Sequence, residues 1–168
     1  RHQEISAEHY AGVSAKSAVV DSLDVVILGA AEIDTDFNVN VHTDSNGYIM
    51  GGSGGHSDTA AGAKLAMIIA PLQRARIPIV TDRVTCISTP GRDIDVLVTQ
   101  AGIAVNPGNA ELKDRLAGTG LNIVDICELK EKAERLTGKP AKPVMGSKEV
   151  ANVIYRDGSL LDTIYNVR

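Results

Sequence analysis

The run Gly51-Gly52-Ser53-Gly54-Gly55-His56-Ser57-Asp58-Thr59-Ala60 sets four glycines around one serine and turns directly into residues that cap and start a helix. Glycine lets the backbone approach a ligand closely and enter turns that side chains forbid, so a loop of this composition leaves a row of N–H groups available. Those donors suit an anion or a developing oxyanion. A loop this rich in glycine also loses more conformational entropy on folding than an ordinary turn requires, which argues for a functional role.

Three familiar motifs fail against the residues. A phosphate-binding loop needs G-x-x-x-x-G-K-[ST], but Gly62 is followed by Ala63, and Lys64 by Leu65. The dinucleotide fingerprint G-x-G-x-x-G fits Gly52 and Gly54 and then meets Ser57. Gly51 to Gly55 matches the nucleophile elbow G-x-S-x-G, yet that arrangement places its acid and then its histidine after the serine, and no histidine follows His56.

Outward from the loop the pattern is α/β. Asp24 to Leu28 reads as a strand buried on both faces and central in its sheet, ended by Gly29. Phe37, Val39 and Val41 alternate with Asn38, Asn40 and His42 in an approach strand, and Asn46-Gly47 marks a turn before the glycine loop. Ser57 is placed to cap a helix over residues 58–63, with Asp58 in its first turn. Residues 65–70, 77–81 and 94–99 read as strands, with Pro71 a stop and Pro90-Gly91 a turn. Helices are predicted over 111–117, closed by Gly118, and over 128–137, where Leu129, Ala133 and Leu136 share a face. Residues 150–155 and 160–165 flank Arg156-Asp157-Gly158-Ser159, a hairpin signal. The expected fold is a single domain over 1–168: a mixed, mainly parallel sheet with flanking helices, the glycine loop at strand ends. A linker over 139–146 leads to a structural hairpin over 148–168.

Composition narrows the function. A chain of 168 residues, 43% hydrophobic and 23% charged, can bury a core. A net charge of −4 and five aromatics give no footprint for nucleic acid. No run approaches the roughly 20 apolar residues of a membrane span, and no leader is evident, so a soluble cytoplasmic protein is expected. Cys86 and Cys127 form no C-x-x-C and read as buried thiols. Asp34-Thr35-Asp36-Phe37-Asn38 opens like a calcium loop but carries Val39 and Ser45 where glycine and glutamate are needed. His42 and Asp44 lack further ligands for zinc, so no metal is expected.

Leu23 to Asn40 (LDVVILGAAEIDTDFNVN), Gly51 to Leu65 (GGSGGHSDTAAGAKL), Arg76 to Val84 (RIPIVTDRV) and Pro90 to Pro107 (PGRDIDVLVTQAGIAVNP) together resemble the citrate lyase α-subunit family. With the tail, the resemblance covers nearly the whole chain. A more distant similarity is to the general CoA-transferases, whose loop reads G-x-G-G-A-x-D. Ser53 and His56 depart from that pattern and point to the citrate lyase branch. The family's subunit is much longer and these residues resemble its later part, so the chain is expected to be a piece, inactive alone, that works with the preceding half.

The resemblance implies an acyl transferase that exchanges acetyl for citryl on the thioester of an acyl carrier protein, releasing acetate. It implies citrate and an acetyl thioester as substrates, the carrier (gamma) and lyase (beta) subunits as partners, and a hetero-oligomer. The implied cofactor is a phosphoribosyl-dephospho-CoA group on the carrier, or acetyl-CoA, with none bound covalently here. On this reading the backbone of Gly52, Ser53, Gly54 and Gly55 cradles the thioester or oxyanion, and Ser53 Oγ adds a donor. His56 either orients the citrate carboxylate or thiol, or only hydrogen-bonds the loop. Ser57 and Asp58 join the substrate-binding group, although Asp58 suits a helix start better than a base. Asn38 and Asn40 share one side of the approach strand and are placed facing the loop. The glutamate nucleophile of many CoA-transferases has no equivalent motif here. Two alternatives remain: another acyl-CoA transferase or thioester hydrolase, and a non-catalytic effector-binding or assembly domain of related fold.

Overall fold

The computed structural model describes residues 2–168. In chain order it contains α1 (Ala7–Ala11), a 3₁₀ turn (Val19–Ser22), β1 (Val26–Leu28), β2 (Glu32–Asp34), β3 (Val39–Asn40), α2 (His56–Gly62) and β4 (Ala66–Ile69). There follow β5 (Gln73–Arg74), β6 (Ile77–Pro78), β7 (Val80–Thr81), a 3₁₀ turn (Gly91–Asp93), β8 (Val96–Thr99) and β9 (Gly102–Val105). The chain closes with α3 (Ala110–Leu116), α4 (Ile126–Thr137), β10 (Met145–Ile154) and β11 (Leu160–Val167). None of the described helices is long and apolar enough to cross a membrane.

The main sheet has the order β1-β4-β8-β9, with β1, β4 and β8 parallel and β9 antiparallel. Leu28, Ile68, Leu97 and Ala104 lie in one register row. Of these, Ile68, Leu97 and Ala104 are wholly buried, in a core that also takes Leu129 and Ala133 from α4. The inner strands are therefore β4 and β8, and β1 is an edge. That corrects the expectation for residues 24–28: Ile27 is 60% exposed, because an apolar run does not state which strand pairs on both sides.

A second sheet, β3-β2-β7, carries buried polar groups. Glu32 accepts from the Asn40 amide at 3.0 Å and the Thr85 N–H at 2.9 Å. Asp34 accepts from the N–H groups of Asp36 and Asn38 at 3.0 and 2.9 Å, and burial raises its pKa. The acidic cluster 34–38 is thus a tight turn organised by one carboxylate, with Phe37 in the left-handed region at φ 64.

Several boundaries move. Residues 77–81 split into β6 and β7, which belong to different sheets. Pro90-Gly91 begins a 3₁₀ turn rather than a simple bend. Helix α4 starts two residues before the predicted Glu128, because Asp125 and Glu128 form a capping box. Ile126 completes its buried face, whereas Leu136 is exposed. Strand β10 starts at Met145, inside the segment expected to be a linker. The hairpin packs Val153 and Ile164 around Cys86, donates from Tyr155 Oη to Asp93 at 2.7 Å, and accepts from Ile87 N–H on Asp162 at 2.7 Å.

Candidate active site

The chain reaches the glycine loop through a short antiparallel connection in which Thr43 bridges Ile49 and Met50 N–H donates to His42 C=O at 2.8 Å. The loop then runs free of the sheet until α2. Among the described residues, the N–H groups of Gly51 to Gly55 donate no hydrogen bond. Gly54 needs glycine because its φ is +56. Gly51 and Gly52 have no such need, and a Cβ at either would meet nothing within 4 Å. The fold gives these two no internal reason to be glycine, which leaves close approach from outside.

Helix α2 begins at His56 with Gly55 as its cap and no side-chain capping bond, so Ser57 is not the cap. Its Oγ is buried without a hydrogen-bond partner. His56 is buried, with Nε2 2.9 Å from Gly29 C=O and Nδ1 2.8 Å from Thr89 Oγ1. A carbonyl only accepts, so Nε2 carries the proton and Nδ1 accepts from the threonine hydroxyl. Both ring nitrogens are engaged, and burial lowers the imidazole pKa. Of the two roles left open for His56, the structure supports the one that ties the loop to the framework. The bond to Gly29, just beyond the carboxyl end of β1, fixes where α2 begins.

Asn38 and Asn40 do not face the loop. Asn38 donates to Asp34 at 3.2 Å and accepts from Gly91 N–H at 2.9 Å. Asn40 is 0% exposed and bonds Glu32, Thr43 and the His42 N–H. Period-two alternation fails because β3 is only two residues long and the chain bends at His42.

The third polar residue of that set, His42, does reach the site. A cleft of about 310 Å³ beside the loop is lined by Ser53, Gly54, Ser57 and Asp58, by His42 and Ser88, and by Asn152 and Arg156 of the hairpin. Ser88 Oγ accepts from the N–H groups of Val41 and His42 at 2.9 and 3.2 Å, and lies 2.6 Å from His42 Nδ1. With its acceptor capacity filled, the hydroxyl donates to Nδ1 and leaves the His42 proton on Nε2. Burial lowers the pKa of this imidazole too, because it disfavours the charged form. Arg156 stands 3.9 Å from Asp58 and 4.0 Å from Asp21.

The arrangement offers backbone N–H groups, two hydroxyls, an imidazole N–H and a guanidinium to one ligand space. It suits stabilisation of negative charge, and no group of three or more potential metal ligands forms among the described residues. The hairpin's share was not expected from the sequence. Arg156 sits in a turn signal, where a cation reads as solvated, and nothing local reports that the hairpin folds back on the loop.

The family model described as "Citrate lyase, alpha subunit (CitF)" matches residues 1–167. The chain belongs to the citrate lyase α-subunit family. It is 52% identical over 167 residues to the citrate lyase alpha chain of Haemophilus influenzae, and 53% identical to that of Klebsiella pneumoniae. Each match covers 99% of this chain and 33% of the relative, so the chain spans about a third of their length. The alpha subunit of citrate lyase from Streptococcus mutans, solved in complex with citrate, superposes with a TM-score of 0.97 at 47% identity, covering 99% of this chain and 33% of that one.

Proposed function

We propose that the full-length protein carrying this chain exchanges acetyl for citryl on the thioester of an acyl carrier protein, as the transferase subunit of a cytoplasmic citrate lyase complex with carrier and lyase partners. Family membership and the citrate bound by the Streptococcus mutans relative support the assembly and the substrate. The observation that carries the chemistry is the row of unengaged N–H groups from Gly51 to Gly55, of which Ser53 and Gly54 line a cleft that also holds His42, Ser57 and Arg156.

A citrate carboxylate oxygen adds to the acetyl thioester carbon, and the carbonyl oxygen takes the negative charge. Collapse expels the carrier thiolate and leaves an acetyl-citryl anhydride. The thiolate then attacks the citryl carbonyl, a second oxyanion forms, and acetate departs with the electron pair. No proton is consumed overall. Both attacks need preorganised donors near a carbonyl oxygen, and removing one such donor typically lowers the rate by roughly 10²- to 10³-fold. The loop N–H groups and Ser53 Oγ supply them; no residue of this chain is assigned as a covalent catalyst. The thiol belongs to the CoA-like prosthetic group on the carrier, and the preceding half of the subunit completes the site.

The test is Ser53→Val in the full-length subunit within its complex. Valine adds a β-branch against the thioester and removes the hydroxyl. Exchange of acetyl for citryl on the acetylated carrier is expected to fall by about 10²-fold, with unfolding by urea unchanged. Wild-type transfer in the variant would refute the assignment.

A further inference from the structure

We propose that Arg156, Ser57 and His42 form a carboxylate-binding subsite beside the glycine loop, and that it holds a carboxylate of the polycarboxylate substrate that is not reacting. The proposal rests on the exchange reaction above for its substrate, and adds a recognition element supplied in part by the C-terminal hairpin.

Three donors in one cleft make no hydrogen bond among the described residues. The Arg156 side chain is only 18% exposed, yet its guanidinium makes none of the hydrogen bonds found among the described residues. Its nearest carboxylates, Asp58 of α2 and Asp21 of the first 3₁₀ turn, stand at 3.9 and 4.0 Å, beyond hydrogen-bond reach, and Asp93 lies within range of its charge. Ser57 Oγ is buried and unpartnered. His42 has its Nδ1 engaged by Ser88, and its Nε2–H is the ring's unused donor.

At 3.9 and 4.0 Å the carboxylates leave the guanidinium N–H donors free for a ligand, and the Ser57 hydroxyl is free with them. Arginine's planar fork matches a carboxylate bidentately, and charge-assisted bonds of this kind are about twice as strong as neutral ones. A serine hydroxyl and a neutral imidazole N–H complete a set of donors around a planar anion. Asp58 lines the same cleft and opposes an anion there. It therefore sets an upper bound on affinity, which suits a substrate whose acetate-exchanged product must leave.

This geometry predicts opposite signs for neighbouring substitutions. In the full-length subunit within its complex, Arg156→Gln is expected to raise the KM for citrate by about tenfold or more, leaving the KM for the acetylated carrier within about twofold. Arg156→Lys keeps the charge without the fork and should fall between wild type and the glutamine variant. Asp58→Asn, which removes the opposing charge, should lower the citrate KM. Citrate binding to the full-length subunit, measured by calorimetry, should move in the same directions. If Arg156 is only a structural ion-pair partner, both glutamine and asparagine variants will lose stability together and neither will shift citrate affinity, which would overturn the proposal. Should the glutamine variant not fold, the lysine and asparagine variants carry the test alone. Normal exchange with an unmoved citrate KM sinks the subsite and leaves the exchange reaction standing. Citrate binding that depends on Arg156 without any exchange sinks the exchange reaction and leaves the subsite.

Discussion

His56→Ala in the full-length subunit separates a framework histidine from a substrate ligand. The imidazole joins two segments far apart in sequence, through Gly29 C=O at 2.9 Å and Thr89 Oγ1 at 2.8 Å. Thr89 is completely buried, so truncation leaves its hydroxyl unpaired away from water, at a cost of about 1–3 kcal/mol. The Gly29 carbonyl lies where water can reach it, so that bond contributes only about 0.5–1.5 kcal/mol. With some loss of packing, a total near 3 kcal/mol follows, a large share of a typical domain stability of about 5–15 kcal/mol. Urea unfolding should show the midpoint falling at constant slope, and hydrogen exchange should speed up in α2 first. His56→Gln, which keeps a donor and an acceptor, should recover part of the loss.

The same histidine adds a pH signature. Its folded pKa lies below the ordinary imidazole value because burial disfavours the charged form, with His42 adding to the effect and the Gly29 carbonyl opposing it. The unfolded chain therefore binds the proton first as pH falls. Stability is intact above the ordinary histidine pKa and declines below it, until the folded pKa is passed, by at most about 1.4 kcal/mol per pH unit for each such histidine. His56→Gln should reduce that slope and leave the part due to His42, whose pKa is shifted in the same direction. An alanine variant of unchanged stability that had lost citrate exchange would refute the framework role and restore His56 to the substrate.

Two glycines should behave oppositely. A Cβ at Gly91 would lie 1.9 Å from the Asp36 carbonyl oxygen, so Gly91→Ala is expected to destabilise by about 3 kcal/mol and to disturb the Asn38 bond to Gly91 N–H; a variant with the wild-type urea midpoint would contradict it. Gly52→Ala meets nothing within 4 Å and should change stability by less than about 0.5 kcal/mol while slowing acyl exchange; equal exchange rates would remove Gly52 from the site.

The elements of this fold were legible where a local signal carries its own physics. The hairpin turn at Arg156-Asp157-Gly158-Ser159 is one case, since Gly158 takes φ +85 there. Strand order was not legible. Residues 25–28 are apolar throughout and still form an edge, because order depends on β4 inserting between β1 and β8 rather than on anything within β1. The start of α4 is written in the sequence as Asp125-x-x-Glu128, a capping signal that lies upstream of the apolar periodicity of Leu129 and Ala133.

The site divides along the same line. The glycine loop could be read as functional because its cost is local: entropy lost by glycines at 51 and 52, where the fold itself requires neither positive φ nor close packing. The polar residues around it could not be sorted by type, since Asn38, Asn40, His42 and His56 all read as ligands or framework with equal ease. What sorts them is whether their hydrogen-bonding capacity is already met. Asn38 and Asn40 serve the buried carboxylates of Asp34 and Glu32, and His56 has both nitrogens engaged, so they hold the frame. His42 keeps one donor, Ser57 keeps its hydroxyl, and Arg156 has carboxylates no nearer than 3.9 Å. Ser57 Oγ is the buried group among them with unmet capacity, and with two further free donors in the same cleft a ligand is the partner that meets the need. Arg156 arrives from a hairpin about a hundred residues after the loop, so this part of the site exists only once the hairpin has folded back against Cys86 and Asp93.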